Sequence, residues 1–101
     1  MLILSLGTNL GDSLNNLRSA LQLLQKSQKI APLQISPLYS SSALLPAYAP
    51  VAWNRPFLNL AVVCETDLSP LEVLKLIKQI ERQLGREESQ RWAPRIIDID
   101  I

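Results

Sequence analysis

Asp98 and Asp100, in the stretch Ile96-Ile97-Asp98-Ile99-Asp100-Ile101, are the residues whose type and spacing best suit chemistry. Side chains alternate along a strand, so both carboxylates share one face while Ile97, Ile99 and Ile101 take the other and can enter a core. Their Cα atoms would lie roughly 7 Å apart, so the two charges repel unless solvent or a cation separates them. Magnesium suits such a pair, because it takes hard oxygen ligands and is commonly held by one or two carboxylates plus substrate phosphates. The chain has no histidine and a single cysteine, which makes a soft-metal site a poor fit. Just upstream, Arg86, Arg91 and Arg95 surround Trp92, a local group of cations able to meet an anion. A solvated edge strand would carry the same pattern of aspartates. A non-catalytic ligand-binding or protein-interaction module is therefore the alternative reading of these residues alone.

Those side chains need elements to hold them. The apolar run Met1 to Leu6, ending at Gly7, has the continuous pattern of a central strand covered on both faces. Asp12 can cap a helix whose Leu14, Leu17, Leu21 and Leu24 form one stripe, ending near Ser27 to Lys29. Leu33 and Ile35 alternate with polar neighbours before Pro37, whose missing N–H places this second strand at a sheet edge. Phe57 to Thr66 reads as a longer third strand. Ser69, Pro70 and Glu72 spell a capping box with proline at the first helical position. Val73, Leu76, Ile77, Ile80 and Leu84 continue that helix's apolar face until Gly85 ends it. With Ile96 to Ile101 as the last strand, the order is β-α-β-β-α-β. This is an α+β, ferredoxin-like arrangement: an antiparallel sheet with two helices on one face. Ser40 to Pro56 and Arg86 to Arg95 carry no period, and loops of the first one's length are usually functional or disordered.

The chain's 101 residues, 48% of them hydrophobic, make one domain, residues 1–101. Ten basic residues against nine acidic ones leave no broad positive face for a nucleic-acid backbone or an anionic membrane. Phe57 has no interleaved aromatic partners on its strand, which argues further against an RNA-binding version of this topology. Cys64 lies in the apolar run Leu60 to Cys64 and reads as a small buried hydrophobe, compatible with a reducing compartment. No apolar run reaches the length of a signal peptide or membrane span, so the expected location is cytoplasmic.

The stretch Arg91-Trp92-Ala93-Pro94-Arg95-Ile96-Ile97-Asp98-Ile99-Asp100 resembles the R-W-G-P-R-x-x-D-x-D signature of the hydroxymethyldihydropterin pyrophosphokinases. Gly7-Thr8-Asn9-Leu10-Gly11-Asp12 is similar to that family's G-S-N-L-G-D turn, and Phe57-Leu58-Asn59 to its aromatic-x-Asn strand. Ile80-Glu81 with Gly85-Arg86 resembles its second helix and cap, so the likeness runs along the whole chain in order. It implies a ferredoxin-like fold and transfer of diphosphate from ATP to 6-hydroxymethyl-7,8-dihydropterin, in folate biosynthesis, with release of AMP. It also implies a pair of Mg2+ ions held by Asp98 and Asp100, which with Arg86 and Arg95 form the catalytic set. Glu81, Arg86, Arg91, Arg95 and Ile101 match positions of the ATP site. Ser41, Phe57, Asn59 and Trp92 match positions of the pterin site, where a planar heterocycle is met by an aromatic face and an amide.

The sequence also departs from the family pattern. Ser40-Ser41-Ser42-Ala43 stands where Thr and Pro are common, Glu88 where many relatives carry arginine, and Lys78 where glutamine is frequent. The family continues past the second aspartate with a histidine, an arginine and a second aromatic. The resemblance thus implies a domain incomplete at its C-terminal end and a fragment weakly active at most. The proline-containing stretch up to Phe57 resembles versions of the domain fused to dihydropteroate synthase, which implies a second domain.

Overall fold

Phe57–Thr66 is the longest strand of the sheet, and its alternating burial, with Leu60, Val62 and Cys64 turned inward, sets the register of its neighbours. The computed structural model describes residues 1–86 and 92–101. Its elements are β1 (Leu2–Thr8), α1 (Ser13–Lys26), β2 (Ile30–Ile35), β3 (Tyr39–Ser41), a short 3-10 turn (Val51–Trp53), β4 (Phe57–Thr66), α2 (Pro70–Gln83) and β5 (Asp98–Asp100). The strand order is β2-β4-β1-β5 with β3 also pairing β4, and every pairing is antiparallel. Leaving β3 aside, this is the α+β, ferredoxin-like order expected from the sequence, with one short strand added.

Both helices start where local chemistry dictates. Asp12 accepts from the Asn15 N–H to cap α1. Ser69 accepts from the Glu72 N–H, while the Glu72 carboxylate accepts from the Ser69 N–H, closing the capping box on α2. The hydrogen bond from Ser69 holds the Glu72 carboxyl below its ordinary pKa. Gly85 ends α2 in the left-handed region at φ +94°, where a Cβ would be strained. Leu17, Ala20 and Leu24 of α1 and Val73, Ile77 and Ile80 of α2 pack against Leu4, Leu6, Ile30, Leu60, Val62, Cys64, Ile97 and Ile99. Burial also pushes the Cys64 thiol pKa up, as befits a core hydrophobe. Among the described residues, no helix is long and apolar enough to cross a membrane.

Several local expectations need correction. β1 is interior in the strand order but covered on one face only: Leu4 and Leu6 are buried, while Ile3 is 57% exposed. With Ser5 the single polar residue of this run, the pattern does not reveal which face is bare. β2 lies at the sheet edge as expected, yet its buried residue is Ile30, while Leu33 (59% exposed), at a register shift between Pro32 and Gln34, and Ile35 beyond it are exposed. The stretch after Ser40 is not wholly irregular, because Tyr39–Ser41 pairs with Phe57–Asn59. The last strand is shorter than Ile96 to Ile101, and Ile101 is 63% exposed instead of joining Ile97 and Ile99 in the core.

Candidate active site

The period-two rule delivers the aspartates to the side of the sheet away from the helices. In β5, Ile99 turns into the core, so Asp98 and Asp100 face outward beside their β1 partners Gly7 and Ser5. On the other side of β1, Gly7 pairs with Asn59 of β4, which pairs in turn with Tyr39 of β3. Phe57, two residues before Asn59, shares its face. These strands floor an open cavity of about 360 Å³. Asp98, Asp100 and Arg95 line one part of it, Ser41, Phe57 and Asn59 another, and Trp92 also lines the wall.

Charge is concentrated at Asp98. Its Oδ1 accepts from Arg86 Nη1 at 3.1 Å and from Arg95 Nη1 at 3.3 Å. The cations near this carboxylate therefore come from the end of α2 and from the segment leading into β5. Asp100 stands differently: desolvation first, then the charges of Asp98 and Glu81, raise its carboxyl pKa above the ordinary value, with Arg86 and Lys78 opposing. Among the described residues no group of three histidine, cysteine, aspartate or glutamate side chains converges. A pair of outward carboxylates, one of them resisting ionisation, is a donor set that a hard cation would relieve, provided other oxygens complete its shell.

Glu81 is only 2% exposed and lies beneath β5. Its Oε2 accepts from the Ile99 N–H at 3.0 Å and from Arg86 Nη1, so Arg86 ties Glu81 to Asp98 around the sheet edge. The other oxygen, Oε1, lacks a hydrogen-bond partner; Lys78 Nζ is 3.6 Å away, a charge contact beyond hydrogen-bonding reach. Glu81, Arg86 and Ile101 do not line the cavity. Arg91 falls within residues 87–91, outside the described residues.

A family model described as 7,8-dihydro-6-hydroxymethylpterin-pyrophosphokinase matches residues 3–101. The chain belongs to this family. It is 44% identical over 99 residues to the folate synthesis bifunctional protein of Chlamydia caviae, a match covering 97% of this chain and 22% of that protein. It is 38% identical over 100 residues to the 2-amino-4-hydroxy-6-hydroxymethyldihydropteridine pyrophosphokinase of Bacillus subtilis, covering 97% of this chain and 56% of that one. A mitochondrial folate synthesis bifunctional protein of Pisum sativum is 41% identical over 99 residues, covering 98% and 18%. The chain thus spans between about a fifth and just over half the length of these curated relatives.

Within the family frame, the fold gathers Ser41, Phe57, Asn59, Trp92, Arg95, Asp98 and Asp100 around one cavity. Asn59 Nδ2 donates to Ser41 Oγ at 2.9 Å and to the Tyr39 carbonyl at 3.3 Å, which fixes the amide plane. Among the lining residues that the sequence reading did not assign to the site are Ser5 and Gly7 of β1. Period-two spacing from Gly7 along β1 would have found Ser5, but only once the bare face of that strand was known. Gly7 has a steric reason to lack a side chain, since a Cβ there would lie 2.8 Å from Asn59 Oδ1 and 3.4 Å from a Phe57 ring carbon. Gly7→Ala is accordingly expected to displace the Asn59 amide and lower affinity for a pterin by about tenfold or more, the value of one or two lost hydrogen bonds. Calorimetric titration would check it, and an unchanged Kd would show that the amide has room to move.

Proposed function

We propose that this chain carries the family's reaction, in which diphosphate passes from ATP to 6-hydroxymethyl-7,8-dihydropterin and AMP is released. The observation supporting it is one cavity that joins an aromatic-and-amide lining, Phe57 and Asn59, to a cluster of two carboxylates and a guanidinium, Asp98, Asp100 and Arg95. The first lining suits a flat heterocycle with an amide edge, and the second suits a polyphosphate accompanied by a cation. The names of relatives, folate synthesis bifunctional proteins, support this choice of substrate.

Phe57 stacks on the pterin, while Asn59, its Nδ2 held by Ser41 and Tyr39, reads the ring's edge and aims the hydroxymethyl group toward Asp98. The alcohol oxygen attacks the β-phosphorus in line as the bond from that phosphorus to the AMP oxygen breaks, and the alcohol proton passes to solvent, so alignment and charge neutralisation carry the catalysis. Asp98 and Asp100 would hold magnesium, up to two ions with ATP, which would supply positive charge to offset that of the phosphates. Arg95 and Arg86 stabilise the phosphate charge that grows on the leaving side. Without ligand, both guanidiniums rest on Asp98. Binding of nucleotide therefore exchanges a carboxylate partner for phosphate oxygens and frees Asp98 for the cation.

This exchange has opposite signs for the two ligands. In Arg95→Ala, magnesium affinity without nucleotide is expected to rise by about two- to fivefold, the value of one partly exposed ion pair. Affinity for a magnesium-bound, nonhydrolysable ATP analogue is expected to fall by about tenfold or more. Isothermal titration of each ligand separates the two effects, and a fall in both would mean that Arg95 does not compete for Asp98.

The direct test of the reaction is AMP release from ATP and 6-hydroxymethyl-7,8-dihydropterin with magnesium. It should be run on this chain and on one carrying the fuller length of its relatives. We propose that efficient turnover needs that additional length, because the family's further aromatic, histidine and arginine contacts come after the second aspartate. Binding of both ligands without AMP release at either length would favour a non-catalytic module.

A further inference from the structure

Asn9 sits in the turn between β1 and α1 and is only 4% exposed. A buried amide must satisfy its donors and acceptor, and Asn9 does so across long stretches of sequence. Its backbone N–H donates to the Arg95 carbonyl at 3.1 Å, and the Arg95 N–H donates back to Asn9 Oδ1 at 2.8 Å. Those two bonds close a ring that fixes the backbone of Arg95, whose guanidinium reaches Asp98. The remaining end, Nδ2, donates to the Arg55 carbonyl at 3.1 Å, two residues before Phe57. One side chain therefore fastens the segment entering the phosphate-facing wall, 86 positions away, and the segment entering the pterin-facing wall, 46 positions away.

The turn itself does not depend on that side chain. Asn16 Nδ2 donates to Thr8 Oγ1 at 3.3 Å and to the Leu10 carbonyl at 2.9 Å, and Asp12 caps α1. Gly11 supplies the positive φ of +75° that the turn requires. Removing the Asn9 amide should thus loosen two walls without unfolding the element that carries it.

We propose that Asn9 is a positioning residue that clasps the two walls of the cavity together, so that the heterocycle and the polyphosphate are held at one separation. Its consequence for ligands rests on the proposed function, whereas its consequence for the backbone does not. Chemistry divides the clasp into two arms. Asn9→Ala loses both, while Asn9→Asp keeps the acceptor for Arg95 and replaces the donor to Arg55 with a carboxylate oxygen facing a carbonyl.

Amide hydrogen exchange on the ligand-free chain reads the arms separately. In Asn9→Ala, the Arg95 amide and the Asn54 and Arg55 amides should all exchange about tenfold faster, while Val62 and Cys64 in the core of β4 keep wild-type protection. In Asn9→Asp, Arg95 should stay slow and only Asn54 and Arg55 should speed up. Calorimetry should then show Asn9→Ala weaker by about tenfold toward both the ATP analogue with magnesium and the pterin, and Asn9→Asp weaker mainly toward the pterin. Wild-type exchange at Arg95 in Asn9→Ala, or wild-type affinity of that variant for both ligands, would overturn the clasp. If Asn9→Ala does not fold, identical exchange at Asn54 and Arg55 in Asn9→Asp and wild type would overturn it equally. A wild-type chain that binds neither ligand would count against the proposed function, and the exchange pattern would still decide the clasp.

Discussion

Glu81→Ala is expected to lower the melting midpoint by about 10–20 °C, corresponding to about 2–4 kcal/mol in a domain of this size. Three losses add at this position. The Ile99 N–H, on the outer side of β5, would lose its acceptor. Arg86 would lose the buried partner that draws it around the sheet edge. A cavity would open beneath Ile99, since Glu81 is among the largest fully buried side chains. Because Arg86 is itself partly exposed, water softens its share, which keeps the figure below that of a fully buried broken pair. Glu81→Gln retains an oxygen for the Ile99 N–H and nearly the same volume, so its loss should be less than half as large. Thermal melts of both variants check the order; equal losses would mean that the ion pair with Arg86, not the bond to β5, dominates. Either variant should also weaken magnesium-dependent nucleotide binding, because β5 carries both aspartates.

On the proposed function, and in a chain of the fuller length of its relatives, Asp100→Asn is expected to reduce AMP formation by about a hundredfold or more, the usual scale for removing a group that organises transition-state charge. The same change should leave stability at neutral pH equal to or above wild type. Partial desolvation and the neighbouring charges of Asp98 and Glu81 raise the Asp100 pKa in the folded chain, so its ionised form opposes folding. The favourable contribution of the neutral carboxyl is complete below the unfolded-state pKa and is lost as pH rises through the raised folded-state value. Asparagine is neutral at every pH, so the variant's advantage should appear above that value and vanish below it. Melting curves across acid and neutral pH, set beside activity, test both halves. A variant less stable than wild type at neutral pH would show that the Asp100 charge is satisfied in the fold, and near-normal turnover would remove Asp100 from the site. Stability traded against activity at one residue is what a binding site for a cation predicts of its ligands.

The sequence by itself determined whatever depends on neighbours a few residues apart. Asp12 and the Ser69-Glu72 box start the helices and Gly85 stops the second because capping is chemistry between adjacent turns. Phe57–Thr66 and the shared face of Asp98 and Asp100 were equally legible, since period two is a local property of extended backbone. Only the tertiary structure decided which face of β1 stays bare, for between Met1 and Leu6 Ser5 is the single polar residue, too little alternation to mark a face. β3 exists because β4 offers it a partner, not because three residues prefer to be extended. The roles of Glu81, Arg86 and Asn9 belong to the same class: each acts on residues brought near by strand register, and nothing in the spacing of 81 from 99, 86 from 98, or 9 from 55 and 95 marks them as partners. Local patterns specify elements and faces; the pairing of distant backbone then chooses which polar groups meet, and in this chain that choice builds the site.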